Sequence, residues 1–264
     1  MRLDHAVFRS CDFTAASLAE TNAEHSVFQD CVFDYVDMNN FGDYGSTFTN
    51  CRFYRGEWQV GAIGFDTSGS ARGEYQSRYV NCHFENVKLT KTVFGDPHFI
   101  NCSFVFKKLS GVDFACSGFV SCRFEGAFQD LTFRGAYDPE DCVRKGKPEF
   151  AGFTDVSFEK AALQWIDVRG GLPFRSVKMP ADGSAFTADL PKMCKERASI
   201  LDQTADGRPR ELIARYLEIT CRFAHEQPVD IISRYDLIES AGKGEEATAA
   251  AIYDTLRRGY EIAA

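Results

Sequence analysis

Large apolar residues recur along the first half of the chain on a beat of five. They stand at Phe8, Phe13, Leu18, Phe28, Phe33, Met38, Phe48, Phe53, Trp58 and Ile63, with Ala23 and Asp43 in the two weaker slots. Two residues before each slot is a small or β-branched side chain: Ala6, Cys11, Ala16, Ser26, Cys31, Val36, Ser46, Cys51, Gly56 and Gly61. A second run continues through Tyr79, Phe84, Leu89, Phe94, Phe99, Phe104, Leu109, Phe114, Phe119 and Phe124. A helix would carry such positions around its surface, and a strand would alternate them between its faces. A chain that turns a corner every five residues points them all inward. Four such sides make one coil of 20 residues, the spacing of FRSCDF at Phe8, FQDCVF at Phe28 and FTNCRF at Phe48. Coils stacked at the inter-strand distance of roughly 4.8 Å bury their interiors against one another.

The beat breaks twice. After Ile63 the next good centre is Tyr79, an excess of 11 residues, and the inserted FDTSGSARGEY reads as a loop thrown out from one corner. After Phe124 the register slips by one to Phe128 and Phe133, blurs through residues 134–150, and returns at Phe153, Phe158, Leu163 and Val168. The register leaves open whether 134–150 is a degraded coil or a second loop. These breaks define a first region, 1–170, with insertions near 64–76 and 134–150. Residues 171–187, beginning GLPFRSVKMP, read as a linker, and 188–264 as an α-helical region. In that last region Asp189 with Pro191 opens a helix running to about Ala205, and Leu212, Ile213, Tyr216, Leu217, Thr220 and Phe223 form a stripe at helical spacing. Two more helices are expected over Asp230–Ala241 and Glu245–Ile262.

Leucine or phenylalanine at the centre, with alanine, cysteine, serine or valine two before it, resembles the pentapeptide-repeat family over about Ala6 to Val168. The resemblance implies a mainly β fold, a right-handed quadrilateral β-helix, here followed by helices that cap it, dimerise it or hold a partner.

Candidate chemistry is sparse. Cys11, Cys31, Cys51, Cys82, Cys102 and Cys122 recur on one wall as a ladder. A zinc site needs four ligands converging on one point, and parallel thiols do not converge, so the ladder reads as small buried packing. No metal or cofactor is expected. The ten cysteines are read as thiols, since the opening residues lack a signal-peptide layout and a cytoplasmic protein is the default. No apolar run approaches a membrane span. His5, His25, His83, His98 and His225 share no ligand spacing and read as surface or incidental residues. No GxxxxGK[ST] motif and no marked carboxylate pair appear, so an enzyme is not expected. A catalytic site would have to assemble where Asp167 and Arg169 meet the tail.

Charge changes this picture more. The net charge of −8 excludes the uniformly basic surface of a general nucleic-acid binder. Between Ser10 and Asn50 there are seven acids and no Lys or Arg. Six of them, Asp12, Glu20, Glu24, Asp30, Asp34 and Asp37, avoid the central slots and are expected to face solvent as an acidic surface. The first function expected is therefore a non-catalytic protein-binding scaffold with a protein partner. Phe65, Asp66, Ser68, Arg72 and Tyr75 of the first insertion form a binding loop, and the C-terminal helices provide a homodimer contact. The family resemblance adds an alternative: a DNA mimic that binds a type II topoisomerase (DNA gyrase or topoisomerase IV) and confers resistance to topoisomerase poisons.

Overall fold

The computed structural model describes residues 1–65, 76–136, 152–172, 174, 176–225 and 227–262. Its first part is a stack of coils whose sides are short parallel strands. One side is a five-stranded sheet from Arg2–Asp4 to Val93–Phe94, the next a seven-stranded sheet from Val7–Arg9 to Phe153–Thr154, and the third a six-stranded sheet from Val32–Asp34 to Ser157–Arg169. The fourth side is held by isolated parallel bridges, Ser17 to Asp37 to Glu57 to Lys88. Phe8 pairs with Phe28 and Phe28 with Phe48, so each coil is 20 residues long. Phe48 then pairs with Tyr79, 31 residues on; Phe65, expected in the inserted loop, instead ends the strand Ala62–Phe65 and pairs with Tyr44, and residues 66–75 lie outside the described residues. Phe119 pairs with Phe153, and residues 137–151 lie outside the described residues.

What turns the chain at each corner is a residue with positive φ, two positions after the inward slot. Ser10, Ala15, Glu20, His25, Asp30, Tyr35, Asn40, Asn50, Arg55 and Val60 all lie between φ 50 and 56. Left-handed backbone costs an L-residue roughly 1–2 kcal/mol, least for glycine, asparagine and aspartate. Several corners accordingly carry Asp30, Asn40, Gly45, Asn50, Asn81 and Asn101. Val60, β-branched and 61% exposed, has no such relief. Val60→Asn is therefore expected to stabilise the chain by about 1 kcal/mol, read as a raised urea midpoint. A lowered midpoint would show that the valine side chain contributes contacts outweighing its strain.

The interior includes two columns of stacked rings. Phe8, Phe28, Phe48, Tyr79, Phe99 and Phe119 lie face to face with centroids 4.6–5.2 Å apart. Phe13, Phe33, Phe53, Phe84, Phe104, Phe124 and Phe158 form the second column at 4.7–5.1 Å. Coil stacking at the hydrogen-bond repeat imposes this ring spacing, which also falls in the favourable range for aromatic pairs.

Farther along, corners open and neighbouring sides fuse into strands of 8, 12 and 13 residues: Ser103–Ser110, Arg123–Arg134 and Ser157–Arg169. The one-residue slip of the register sits at Gly126, where Phe106 pairs with Gly126 but Leu109 pairs with Phe128. A Cβ at Gly126 would lie 1.8 Å from the Phe106 carbonyl oxygen, and its φ is +107. Only glycine fits this irregularity.

The tail departs from the all-helical expectation. Helices α1 (Leu190–Lys195), α2 (Arg197–Gln203), α3 (Arg208–Thr220), α4 (Arg234–Ala241) and α5 (Glu246–Tyr260) surround a two-stranded antiparallel ribbon of Ala185–Asp189 and Val229–Ser233. The helix expected from Asp230 starts four residues late because Val229–Ser233 is a strand. Strand alternation explains why: Ala185 and Ile231 join the core of the coils, whereas Phe186, Ala188 and Ile232 join the core of the tail. A strand sends adjacent residues to opposite sides, whereas a helix separates them by only about 100°. The segment expected as a linker also contributes. Phe158 N–H donates to Lys178 O and Lys178 N–H to Val156 O, so the chain stacks once more on the last coil before entering the ribbon. The tail thus covers one end of the stack.

The reading of every cysteine as a thiol fails in this region. Cys194, at the end of α1, and Cys221, just after α3, form a disulfide with Cα atoms 5.6 Å apart. Sequence spacing could not reveal this pair, because packing of the tail alone brings the two helix ends together.

Candidate functional site

The six candidate acids of the first coils do not form one exposed surface. Asp12, Glu20 and Asp30 are exposed, while Glu24 and Asp37 are half-buried. Asp34 is buried, its side chain 12% exposed, and Arg52 grips it through both Nε and Nη2. The expectation that Asp34 faces solvent is corrected accordingly: Arg52, on the next coil of the same sheet, lies over it. Glu24 is likewise neutralised by Arg2, at 2.6 Å. Asp37 accepts hydrogen bonds from Asn39 N and Nδ2. Two hydrogen bonds from Thr14 hold the Asp12 carboxyl below its usual range. Asp30 starts a polar ladder that the hydrophobic register gave no reason to expect. Asn50 Nδ2 donates to Asp30 Oδ1, Asn81 Nδ2 to Asn50 Oδ1 and Asn101 Nδ2 to Asn81 Oδ1, at 2.8–3.0 Å. The recurrence of Asn or Asp two residues after the inward aromatic was the available signal.

Of the expected binding loop, Phe65 is half-buried, its ring 6.4 Å from that of Tyr44. Asp66, Ser68, Arg72 and Tyr75 lie outside the described residues. In the cysteine ladder Cys11 is half-buried, and Cys31, Cys51, Cys82, Cys102 and Cys122 are buried. The thiols also donate to backbone carbonyls of the preceding coil: Cys51 to Phe28, Cys82 to Phe48, Cys102 to Tyr79 and Cys122 to Phe99, at 3.2–3.4 Å. Burial pushes the Cys31, Cys82 and Cys122 thiols up, whereas hydrogen bonds from neighbouring thiols lower Cys51 and, against burial, Cys102. Among the described residues no group of three or more His, Cys, Asp or Glu could hold a metal ion, and no helix is long and apolar enough to cross a membrane. Of the histidines, His5 and His225 are exposed, whereas His25, His83 and His98 are half-buried.

One slot of the interior is charged. Asp43 is fully buried, accepts from Tyr79 Oη at 2.7 Å and from Ser46 N–H at 3.2 Å, and burial raises its pKa to about 6. Tyr79 is the one tyrosine in a column otherwise made of phenylalanine. Its hydroxyl, buried with the ring, needs a partner, and Asp43 in the adjacent column supplies it.

A concave site forms where the coil meets the tail. The Ser157–Arg169 strand presents Trp165, Asp167 and Arg169, the Arg123–Arg134 strand adds Asp130 and Thr132, and the tail adds Tyr216, Gln227, Asp230 and Asp236 around a cleft of about 460 Å³. The two parts are joined by hydrogen bonds. Trp165 N–H donates to Asp236 Oδ1 at 2.8 Å, and Trp165 Nε1 and Gln164 Nε2 each donate to Glu239 Oε2 at 2.6 Å. Ser233 Oγ donates to Leu163 O. Asp167 pairs with Arg169. Burial raises the Asp230 carboxyl to about 7, with Asp167 adding repulsion, and raises Asp236 to about 7, with Asp230, Glu239 and Asp130 adding repulsion. Burial likewise pushes the Tyr216 phenol well above its usual value. Asp167 and Arg169 thus do meet residues of the tail, in an acidic cleft with an apolar rim.

Residues 2–40 match the family model for pentapeptide repeats (8 copies). No curated protein matches the chain. Among solved structures, a trypsin-treated variant of QnrB1, a plasmid-mediated fluoroquinolone resistance protein, aligns at 15% identity over 63% of this chain and 81% of its own, with a TM-score of 0.34. Full-length QnrB1 aligns at 14% identity over 66% and 93%, with a TM-score of 0.21. HetL, a pentapeptide-repeat protein involved in heterocyst differentiation regulation from the cyanobacterium Nostoc sp. strain PCC 7120, aligns at 11% identity over 68% and 90%, with a TM-score of 0.26. Residues 2–40 thus carry pentapeptide repeats, and the five-residue register with the 20-residue coil built on it extends the same fold along the chain.

Proposed function

We propose that the chain is a non-catalytic binding protein whose rigid coil presents exposed carboxylates to a basic protein partner. The observation that carries this reading is the exposed carboxylates of the first coils. Asp12, Glu20 and Asp30 form no ion pair among the described residues, although neighbouring Glu24 and Asp34 are matched to arginines. Residues 1–65 hold nine acids against four bases, so the field at this end of the rod is negative. Charge fixed on a frame that loses little entropy on binding steers association and sets its orientation. Reversal of Asp12, Glu20 and Asp30 to lysine is expected to abolish salt-sensitive capture of the partner in a crosslinking pull-down from native cell extract. The β-rich circular dichroism should be unchanged. Undiminished capture by the triple variant overturns the reading.

The same three carboxylates support a second, narrower reading, in which the acidic coils stand in for a nucleic-acid backbone and the partner is a type II topoisomerase. The wild-type chain should then displace duplex DNA from purified enzyme, and the triple variant should not. Absence of displacement at about 10 μM protein would exclude this partner and leave the broader reading intact.

A further inference from the structure

The cleft at the junction of coil and tail has an acidic floor that the proposed coil surface does not use. Asp230 lies on the Val229–Ser233 strand and Asp236 on the first turn of α4. Asp167 and Asp130 face them from two strands of the coil, and Arg169 is the basic residue of the lining. A cluster of acids alone would be an ordinary solvated surface, but Gln227 adds an independent observation. It lines the same cleft and is 1% exposed, and its Nε2 donates to Val229 O, which fixes the amide orientation. Its Oε1 is left without a hydrogen-bond partner. A buried carbonyl oxygen with no donor is costly and calls for one from outside the chain. The rim is apolar and aromatic: Trp165 is 36% exposed and Ile219 53% exposed, and both lie beside Tyr216. Acceptors below and aromatic rings beside them suit a group that carries several N–H donors, positive charge and a flat or compact shape.

We propose that this cleft binds an organic cation, a guanidinium or primary ammonium group, received by Asp230, Asp236 and Gln227 Oε1 beside the rings of Trp165 and Tyr216. The group is the head of a small amine or the side chain of an arginine or lysine on a partner. Either source satisfies the same acceptors. Occupation requires ionised carboxylates, so it competes with protons. Asp230 faces Asp167, Asp236 and Tyr216, and Asp236 faces Asp230, Asp130 and Glu239. These neighbours disfavour ionisation of the empty cleft, and an incoming cation reverses that.

The chain has two tryptophans, of which Trp58 is 1% exposed in the coil interior, so a ligand in the cleft is read by the fluorescence of Trp165. Three probes distinguish the outcomes: agmatine, the peptide acetyl-Gly-Arg-Gly-amide, and the same peptide with neutral citrulline in place of arginine. Saturable binding of agmatine, of the arginine peptide or of both is expected, with the citrulline peptide at least about tenfold weaker. Agmatine alone would identify a small-molecule site, whereas the arginine peptide would identify an anchor for a partner's side chain. Asp230→Asn should weaken binding by about tenfold or more, and wild-type affinity should rise between about pH 5.5 and about pH 8. The pH series needs no variant, so a poorly folded Asp230→Asn chain does not leave the question open. No saturation by either cation below about 10 mM, equal binding of the citrulline peptide, or an affinity indifferent to pH would overturn the proposal. The outcome is independent of the Asp12, Glu20 and Asp30 reversals, which lie in the first two coils.

Discussion

Replacing Phe104 with alanine is expected to destabilise the chain by about 3–5 kcal/mol. The ring is 2% exposed, stacks on Phe84 at 5.1 Å and Phe124 at 4.8 Å, and meets Phe99 edge to face at 5.2 Å. Its loss removes buried apolar area and leaves a cavity that cannot close. The strands above and below are tied by backbone hydrogen bonds from Ser103 to Cys82 and from Arg123 to Cys102, which hold the coils at their repeat distance. Phe8 provides an internal control. It belongs to the first coil, is only half-buried and has a ring partner on one face, Phe28 at 5.0 Å. Phe8→Ala should cost about 1 kcal/mol, since most of the transfer energy was never gained and little cavity forms. Urea denaturation of both variants checks the pair. Equal losses would mean that the interior is not a stack of neighbour-dependent layers.

Asp43→Asn is expected to stabilise the chain at alkaline pH, with an advantage that grows as pH rises. The folded-state pKa of Asp43, about 6, lies above its ordinary value of 3.8, so the folded chain holds this proton more tightly than the unfolded chain does. The resulting stabilisation is fully present below about pH 4 and is lost as pH rises through about 6, a loss of about 3 kcal/mol from this one group. Asparagine has the same shape, keeps an oxygen for a donor and offers its amide hydrogen to Tyr79 Oη, without a charge to bury. At about pH 8 the variant should therefore be about 3 kcal/mol more stable than the wild type, and near about pH 4 the two should converge. Asp230 and Asp236, each raised to about 7, add to the wild-type decline in the same sense and cancel in the comparison. A difference between variant and wild type that stays constant with pH would refute a buried, titrating Asp43.

The coil was legible because its information is local. Each inward slot, each small residue two before it and each left-handed corner two after it lies within one five-residue step. Every step repeats the same physical demand, so two dozen slots speak for one geometry. Even the charged slot left a trace, since Asp43 and Tyr79 are the two departures from otherwise apolar columns, although nothing in their spacing of 36 residues announced that they meet. The binding features were less legible. Whether a carboxylate on a coil is free or neutralised depends on what stands one coil away. Asp34 and Asp30 look alike in sequence, yet Arg52 covers the first and Asn50 extends the second into a ladder.

By itself, the sequence determined the stack of 20-residue coils, the excess of 11 residues between Ile63 and Tyr79, and the helical character of most of the tail. Only the tertiary structure decided the rest. It put Val229–Ser233 into a ribbon so that Ile231 and Ile232 could serve two different cores, and it joined Cys194 to Cys221. It also brought Asp130, Asp167, Asp230 and Asp236 to one cleft. The physical reason is one of range. A period repeated every five residues specifies its own packing, whereas residues separated by tens of positions on different elements meet only once hydrophobic burial has closed the tail over the end of the coil.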